Sequence, residues 1–403
     1  MNLSGEESRM PETTPKLPQT LPELLRNQVI LRPRHVALRH KRLGIWQEWT
    51  WQDLLSQTQR YASSLASLGF GADSSLLLLS RPRVEALLLA LAVQSLGGTV
   101  QPLDPDLTHD ELQILLKGIN PKFIFSEGQA EVDQLIQSQI SPQLALYANA
   151  RGLSHYKFPN LLSIDQFLTS YVELPVIHIK PEAFAFVFYG LDSEGSLIHQ
   201  KLSHQRLINE AKHLIEQTGL SHKEDALAAR AFATAGQARY LVAPWLVAGF
   251  RLNFPENLAT RDNDRRELSP SLVLGTNATF ARVAQLAEQK LPTTGTLTHR
   301  IYAWAWNQET HNPLAWILTR LIRRVLRENL GFAHLKTALL IGEPLAKTHV
   351  DFYASLGIRI KRLAATGVTQ SVPAQASPVE TPQSGLQKNK QKSEPNPSNP
   401  LLR

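Results

Sequence analysis

The stretch of this 403-residue chain that could do the most chemistry runs AFAFVFYGLDSEGSLIHQKLSHQRLINEAKHLIEQTGL. Ala183 to Tyr189 reads as a short aromatic-rich strand, GLDSEGSLIHQK as a loop, and QRLINEAKHLIEQTGL as a helix. A strand passing through a Gly- and Ser-containing loop into a helix is where phosphate-binding loops sit, because free amides and the helix dipole both face the anion. Contact with a phosphate is therefore the chemistry that such a placement could support. Asp192 and Glu194 in the same loop oppose it. Each close charge pair with a polyphosphate repels by ~4 kcal/mol at an effective dielectric of about 20, before screening.

Other reactive residue types carry less. The 13 histidines are scattered, and neither His35 with His40 nor His199 with His204 belongs to an acidic motif of the zinc kind, so no metal site is expected. His204 reads as part of a helix cap rather than as a catalytic base. The absence of cysteine excludes a disulfide framework, a thiolate metal site, an iron–sulfur cluster and a cysteine nucleophile, and fits an intracellular protein.

The elements that must hold the loop alternate strand and helix. Trp51 to Leu68 has apolar residues at helical spacing, with Thr50 as N-cap and Gly69 as stop. SSLLLLS, the apolar helix from Val84, TVQPL, the helix LTHDELQILLKGI and PKFIFS follow in turn. This rhythm predicts largely parallel, helix-covered sheets. The run Val84 to Val93 falls short of the ~20 residues of a spanning helix and reads as a buried core helix. Residues 1–18, without a basic start or apolar core, read as a disordered leader and imply no export. Residues 19–371 read as one large α/β domain with two subdomains, about 19–180 and 181–371. Residues 372–403 read as a disordered low-complexity tail.

The net charge is +7, from 42 Lys+Arg and 35 Asp+Glu, but only 19 % of residues are charged. That is a small surplus on a lightly charged chain, and nucleic acid is not an expected partner. The helix from Leu314 to Leu330 sets Leu314, Ile317, Leu318, Leu321 and Val325 against Arg320, Arg323, Arg324 and Arg327. Two readings stand: a core-packed helix with a solvated basic face, or a contact with an anionic membrane. Trp304, Trp306 and Trp316 could line a pocket, insert at an interface, or pack in the core.

The loop resembles that of adenylate-forming enzymes, the AMP-binding superfamily, and within it the bacterial long-chain fatty acyl-CoA synthetases. That family writes Tyr-Thr-Ser-Gly-Thr-Thr-Gly-x-Pro-Lys-Gly followed by Leu-Ser-His; here Tyr189, GLDSEGSLIHQK and Leu202-Ser203-His204 align without a gap. GIWQEWTWQDL resembles the family's opening hairpin and first helix. LVAPWLVAGFRLNFPEN, PSLVLGTNATFARVAQL and PLAWILTRLIRRVLRENLGFAHLKTALLIGEPL resemble later segments in the same order. The resemblance implies a truncated N-terminal domain of two α/β subdomains, without a C-terminal lid. It also implies vestigial nucleotide contacts at Ser193, Gly195, Gly342, Glu343, Pro344, Gly367 and Thr369. ATP or AMP and magnesium enter as cofactors through the resemblance only.

The departures point to lost catalysis. Ile198 falls where the family's loop lysine would be, Thr234 where a Pro-Leu-x-His histidine would be, and Gln370 where a magnesium-binding glutamate would be. No residue is assigned a catalytic role. The expected protein is cytoplasmic, with possible peripheral contact at the inner membrane face. It would be a non-catalytic homologue binding a fatty acid or acyl-nucleotide and partnering an active acyl-activating enzyme. The alternatives are an acyl-activating ligase completed by a separate lid-bearing subunit, and a lipid-surface adaptor using the arginine helix and Lys388, Lys390 and Lys392.

Overall fold

Capping side chains set where several helices begin. Thr20, Thr50, Thr108 and Ser163 each accept the amide three residues on, while Glu23, Asp53, Glu111 and Gln166 close the reciprocal bond, which starts α1 (Leu21–Leu31), α2 (Trp51–Ser67), α4 (His109–Ile119) and α6 (Ile164–Phe167). A computed structural model describes residues 17–168, 172–229, 232, 234–288, 295–296, 300, 313–363 and 370–371. Gly367, Thr369, Trp304, Trp306 and the 372–403 segment lie outside the described residues, as do residues 1–16.

The remaining elements of the first half are β1 (Val36–Arg42), β2 (Ile45–Thr50), β3 (Ser75–Leu79), α3 (Val84–Ser95), β4 (Thr99–Leu103), β5 (Phe123–Ser126), α5 (Gln129–Ser138), β6 (Leu144–Tyr147) and β7 (Leu161–Ser163). The second half contributes β8 (Phe184–Leu191), β9 (Leu197–Ser203), α7 (His204–Thr218), β10 (Asp225–Leu227), β11 (Arg251–Phe254), α10 (Arg261–Leu268), β12 (Leu272–Gly275) and α11 (Asn277–Glu288). Between β10 and β11 lies a helix with a π-turn in its middle: α8 (Ala235–Gln237), Ala238–Val242, then α9 (Ala243–Ala248). Last come α12 (Pro313–Asn329), β13 (Thr337–Leu340), α13 (Lys347–Ser355), β14 (Ile360–Arg362) and β15 (Gln370–Ser371).

Two sheets result, in strand orders β15-β9-β8-β4-β3-β5-β6-β7 and β14-β13-β12-β10-β11-β1-β2. Both are mostly parallel; the antiparallel pairs are β1–β2, β8–β9 and β9–β15. Neither sheet is built from one continuous stretch. The hairpin β1–β2 joins the seven-stranded sheet through β11, and β8–β9 join the eight-stranded sheet through β4. The chain segments 19–180 and 181–371 thus exchange strands.

Alternation along the strands divides the core into three. Leu76, Leu78 and Phe125 of one sheet and Leu38, Leu252 and Leu272 of the other face a shared interior, with α1, α2, α3, α7 and α9 among its contributors. Leu77, Leu79 and Ile124 face outward onto α4 and α5. Val273, Ala338 and Leu340 face outward onto α11, α12 and α13. In the shared interior the fully buried rings of Trp51 and Trp245 stack with centroids 4.9 Å apart, and Trp245 Nε1 donates to the Ala37 carbonyl at 3.0 Å. The α3 helix is buried along nearly its whole length, as its sequence predicts. Among the described residues, no helix is long and apolar enough to cross a membrane.

Candidate functional site

The loop read as sitting where phosphate-binding loops sit is a hairpin turn. The segment LIHQKLS forms β9, antiparallel to β8, so a strand rather than a helix follows residues 192–196. No helix N-terminus therefore faces the loop, which corrects the strand–loop–helix reading. Asp192 organises the turn. Its Oδ1 accepts the amides of Glu194 at 2.9 Å and Ser196 at 2.8 Å, while its own amide donates to the Ser196 carbonyl and its carbonyl accepts the Gly195 amide. Gly195 takes a φ of +78°, a left-handed conformation suited to glycine. The amides of Asp192, Glu194, Gly195 and Ser196 are thus occupied, two of them by a carboxylate. Ser193 and Gly195 are exposed at the tip.

Ser203 caps α7 by accepting the Arg206 amide at 3.3 Å. His204 does something else, contrary to the cap expected of it: its Nδ1 accepts the Leu21 amide at 3.2 Å, tying α7 to the start of α1. It is buried, and desolvation pushes its imidazole down to about 4. At neutral pH it is therefore an uncharged structural acceptor.

Gly342, Glu343 and Pro344 form an exposed turn after β13. The Gly342 carbonyl accepts Arg362 Nε at 3.3 Å, and the Pro344 carbonyl accepts Asn277 Nδ2 at 2.5 Å, which fixes the turn against the start of α11. Thr234 precedes α8 without a side-chain capping bond, and Gly236 packs on Ile341, so the segment 234–237 adjoins this turn. The structure thus gathers Thr234, Asn277 and Gly342–Pro344 at one edge of the seven-stranded sheet. Ser193 and Gly195 belong to the eight-stranded sheet. Gln370 pairs with His199 of β9, beside the hairpin.

The arginine helix departs from the core-packed reading. Leu314, Ile317, Leu321 and Val325, expected to pack inward if the helix is core-bound, are about half exposed, as is Trp316. The helix turns its small residues Ala315 and Thr319, together with Leu326, to the interior instead, where close approach is possible. The arginines are partly structural. Arg323 donates to the Ser355 carbonyl at 2.6 Å, and Arg327 to the Phe332 and Leu335 carbonyls at 3.1 and 2.9 Å. Arg324 pairs with Glu328 at 3.0 Å, and the Arg320 guanidinium lies 5.5 Å from the Trp316 ring centroid.

A third cluster carries no sequence motif. The connection β10→β11 runs to one side of β10, while β11→β12 returns through α10 to its other side, so the chain changes direction between β10 and β12. Ligands in open α/β sheets bind beyond the strand C-termini at such a switch point. There a cavity of about 150 Å³ opens among Leu227, Gln237, Thr276, Arg261, Arg265 and Arg282. Arg261 and Arg265 stand four residues apart on α10, a spacing visible in RDNDRREL, but only the fold brings Arg282 to them. Gly331, with φ +69°, admits the close approach of α10, since a Cβ there would sit 2.6 Å from the Arg265 carbonyl oxygen.

The Glu194 and Ser196 amides are spent on the Asp192 carboxylate, and no group of three or more His, Asp or Glu among the described residues could hold a metal.

The architecture, two largely parallel sheets flanked by helices, is that of the N-terminal domains of adenylate-forming enzymes. The inhibitor-bound N-terminal domain of FACL13 from Mycobacterium tuberculosis matches with a TM-score of 0.61 at 16 % identity, over 86 % of this chain and 76 % of that one. The anthranilate CoA ligase AuaEII in complex with anthranoyl-AMP matches with a TM-score of 0.65 at 13 % identity, over 85 % and 60 %. A model of the family described as AMP-binding enzyme matches residues 25–392, and the chain belongs to that family. Tyrocidine synthase 3 of Brevibacillus parabrevis is 25 % identical over 249 residues, 61 % of this chain and 4 % of the synthase. The dimodular nonribosomal peptide synthase of Bacillus subtilis (strain 168) is 31 % identical over 116 residues, 28 % of this chain and 5 % of that protein. The chain thus spans only a small part of either of these two synthases.

Proposed function

We propose that this chain is a non-catalytic member of the AMP-binding family, of the long-chain acyl-CoA synthetase type, whose turn at 192–196 no longer holds ATP. It acts as a binding or regulatory partner of an active acyl-activating enzyme in lipid metabolism, with a carboxylic acid or acyl-nucleotide as ligand. The observation that carries this reading is Asp192 Oδ1 accepting the Glu194 and Ser196 amides. A phosphate would have to displace an anion already bound there by charge-assisted hydrogen bonds. Glu194 and the loss of a loop lysine to Ile198 add to the opposition. The test is acyl-adenylate and acyl-CoA formation by the purified protein with ATP, magnesium and fatty acids of several lengths. No turnover above a heat-killed control is expected. Turnover that appears only when a lid-bearing subunit is added would replace this reading with that of a two-subunit ligase.

A second reading, contact with an anionic lipid surface, is favoured by the exposed apolar stripe of α12 beside Arg320 and Arg324. Co-sedimentation with phosphatidylglycerol vesicles should fall with salt and with substitution of Arg320, Arg323, Arg324 and Arg327 by glutamine. Binding unaltered by either would remove it.

A further inference from the structure

We infer that the groove along α12 docks an acidic amphipathic helix of a partner protein. The inference deepens the partner role proposed above and rests on it for its biological setting. Its physical grounds are the shape, spacing and charge of the groove.

Shape comes first. α12 forms one wall and the turns at Ala333–His334 and Leu356–Gly357 form the other, around a space of about 780 Å³. A helix with its side chains is ~10 Å across, so the space holds about two turns of one. Ile317 and Leu321 line it and are each 55 % exposed. Leu314 and Val325 continue the same stripe along α12, also about half exposed, so that it runs roughly 16 Å at 1.5 Å per residue. A contiguous apolar stripe rimmed by polar residues marks an interaction face.

Charge then sets the chemistry of the partner. The guanidiniums of Arg320, Arg323, Arg324 and Arg327 line the groove against one carboxylate, that of Glu328. Arg323 and Arg327 donate to neutral backbone carbonyls, bonds that hold their side chains in place without cancelling their charge. The four arginines follow the i, i+3, i+4, i+7 spacing of one helix stripe, beside the apolar one. Their complement is a helix with Asp or Glu at that period next to its own apolar stripe, and such helices seat in grooves through anchors spaced in this way.

Shape also separates this partner from a lipid surface. A bilayer is flat on this scale and would leave the space between the two walls unfilled. A helix is a cylinder of the right width and fills it.

The test follows the fluorescence anisotropy of a labelled peptide of about 16 residues, with Leu at every third or fourth position and Glu beside each, titrated with the full chain. Two comparison peptides carry Gln in place of Glu, or the same residues in scrambled order. Phosphatidylglycerol vesicles are offered in parallel. Saturable binding of the acidic peptide is expected, weakened by salt and at least about tenfold tighter than that of either comparison peptide. Arg320 and Arg324 bond to nothing outside α12 among the described residues, so Arg320→Gln with Arg324→Gln should melt as the parent does. That double variant should weaken binding roughly three- to thirtyfold. Ile317→Ala with Leu321→Ala should weaken it at least about tenfold, whereas Arg151→Gln, at an exposed turn elsewhere, should leave it unchanged. No saturable binding, equal binding of a comparison peptide, or indifference to both double variants would overturn the inference. Binding of the vesicles without the peptide would overturn it too and give this face to lipid. The titration contains no ATP or acyl substrate, so its failure leaves the non-catalytic reading to the adenylation assay, and turnover in that assay would strike that reading without touching the groove.

Discussion

The hairpin at 192–196 and the crevice between β10 and β12 are two sites with opposite electrostatic histories in one molecule. In the hairpin, donors suited to an anion exist but are consumed by the chain's own Asp192. In the crevice, one internal carboxylate, Asp262, is shared by two guanidiniums, and donors remain. An anion site is therefore defined less by the donors present than by those left after the protein has satisfied itself. By that measure the hairpin is closed and the crevice open.

The comparison breaks most visibly at Asp262. Asp262→Asn leaves Arg265 and Arg282 facing each other and should cost about 3 kcal/mol in urea unfolding.

Acid separates the two regions. Burial holds His204 neutral in the fold down to about 4, against an ordinary 6.5, so the unfolded chain takes up a proton first. Its contribution is whole above about pH 6.5 and falls as pH drops toward 4, by up to about 3 kcal/mol. His204→Gln should flatten that window in chemical denaturation scans. Asp262 is burdened by desolvation, but Arg265 and Arg282 more than offset it and hold its carboxyl below the ordinary range. Its contribution survives the His204 window and is lost only at still lower pH.

Smaller effects sharpen the picture. Asp192→Ala should lower stability by about 1 kcal/mol, because the turn is exposed. It should also give the hairpin its first measurable affinity for pyrophosphate by calorimetry. Glu343→Ala, in an exposed turn, should change the melting curve by less than about 0.5 kcal/mol.

Much of the scaffold was legible in the sequence. Thr50 and Asp53 announce α2, and SSLLLLS, TVQPL and PKFIFS announce three neighbouring parallel strands. The hairpin was less legible. Asp192 three residues before Gly195 is a turn signal, but Leu197–Ser203 alternates too weakly to separate a strand from a loop. The inward face of α12 was misjudged because apolar residues were assumed to mark the core; packing against the sheet favours Ala315 and Thr319. Sheet membership and the crevice were not legible at all. Arg265 and Arg282 meet only because α10 crosses the sheet, and no local pattern encodes that crossing.

The pairing of β1 with β11 sets a timetable. Leu38 finds its strand partner in Leu252, so the hairpin near residue 40 is synthesised long before the edge it completes exists. At ~5–20 residues per second the wait on the ribosome is roughly ten to forty seconds. Through that interval Leu38 and Trp51, fully buried in the finished protein, have no final resting place. Slowing the ribosome between codons 50 and 250 prolongs that exposure and should lower the soluble yield.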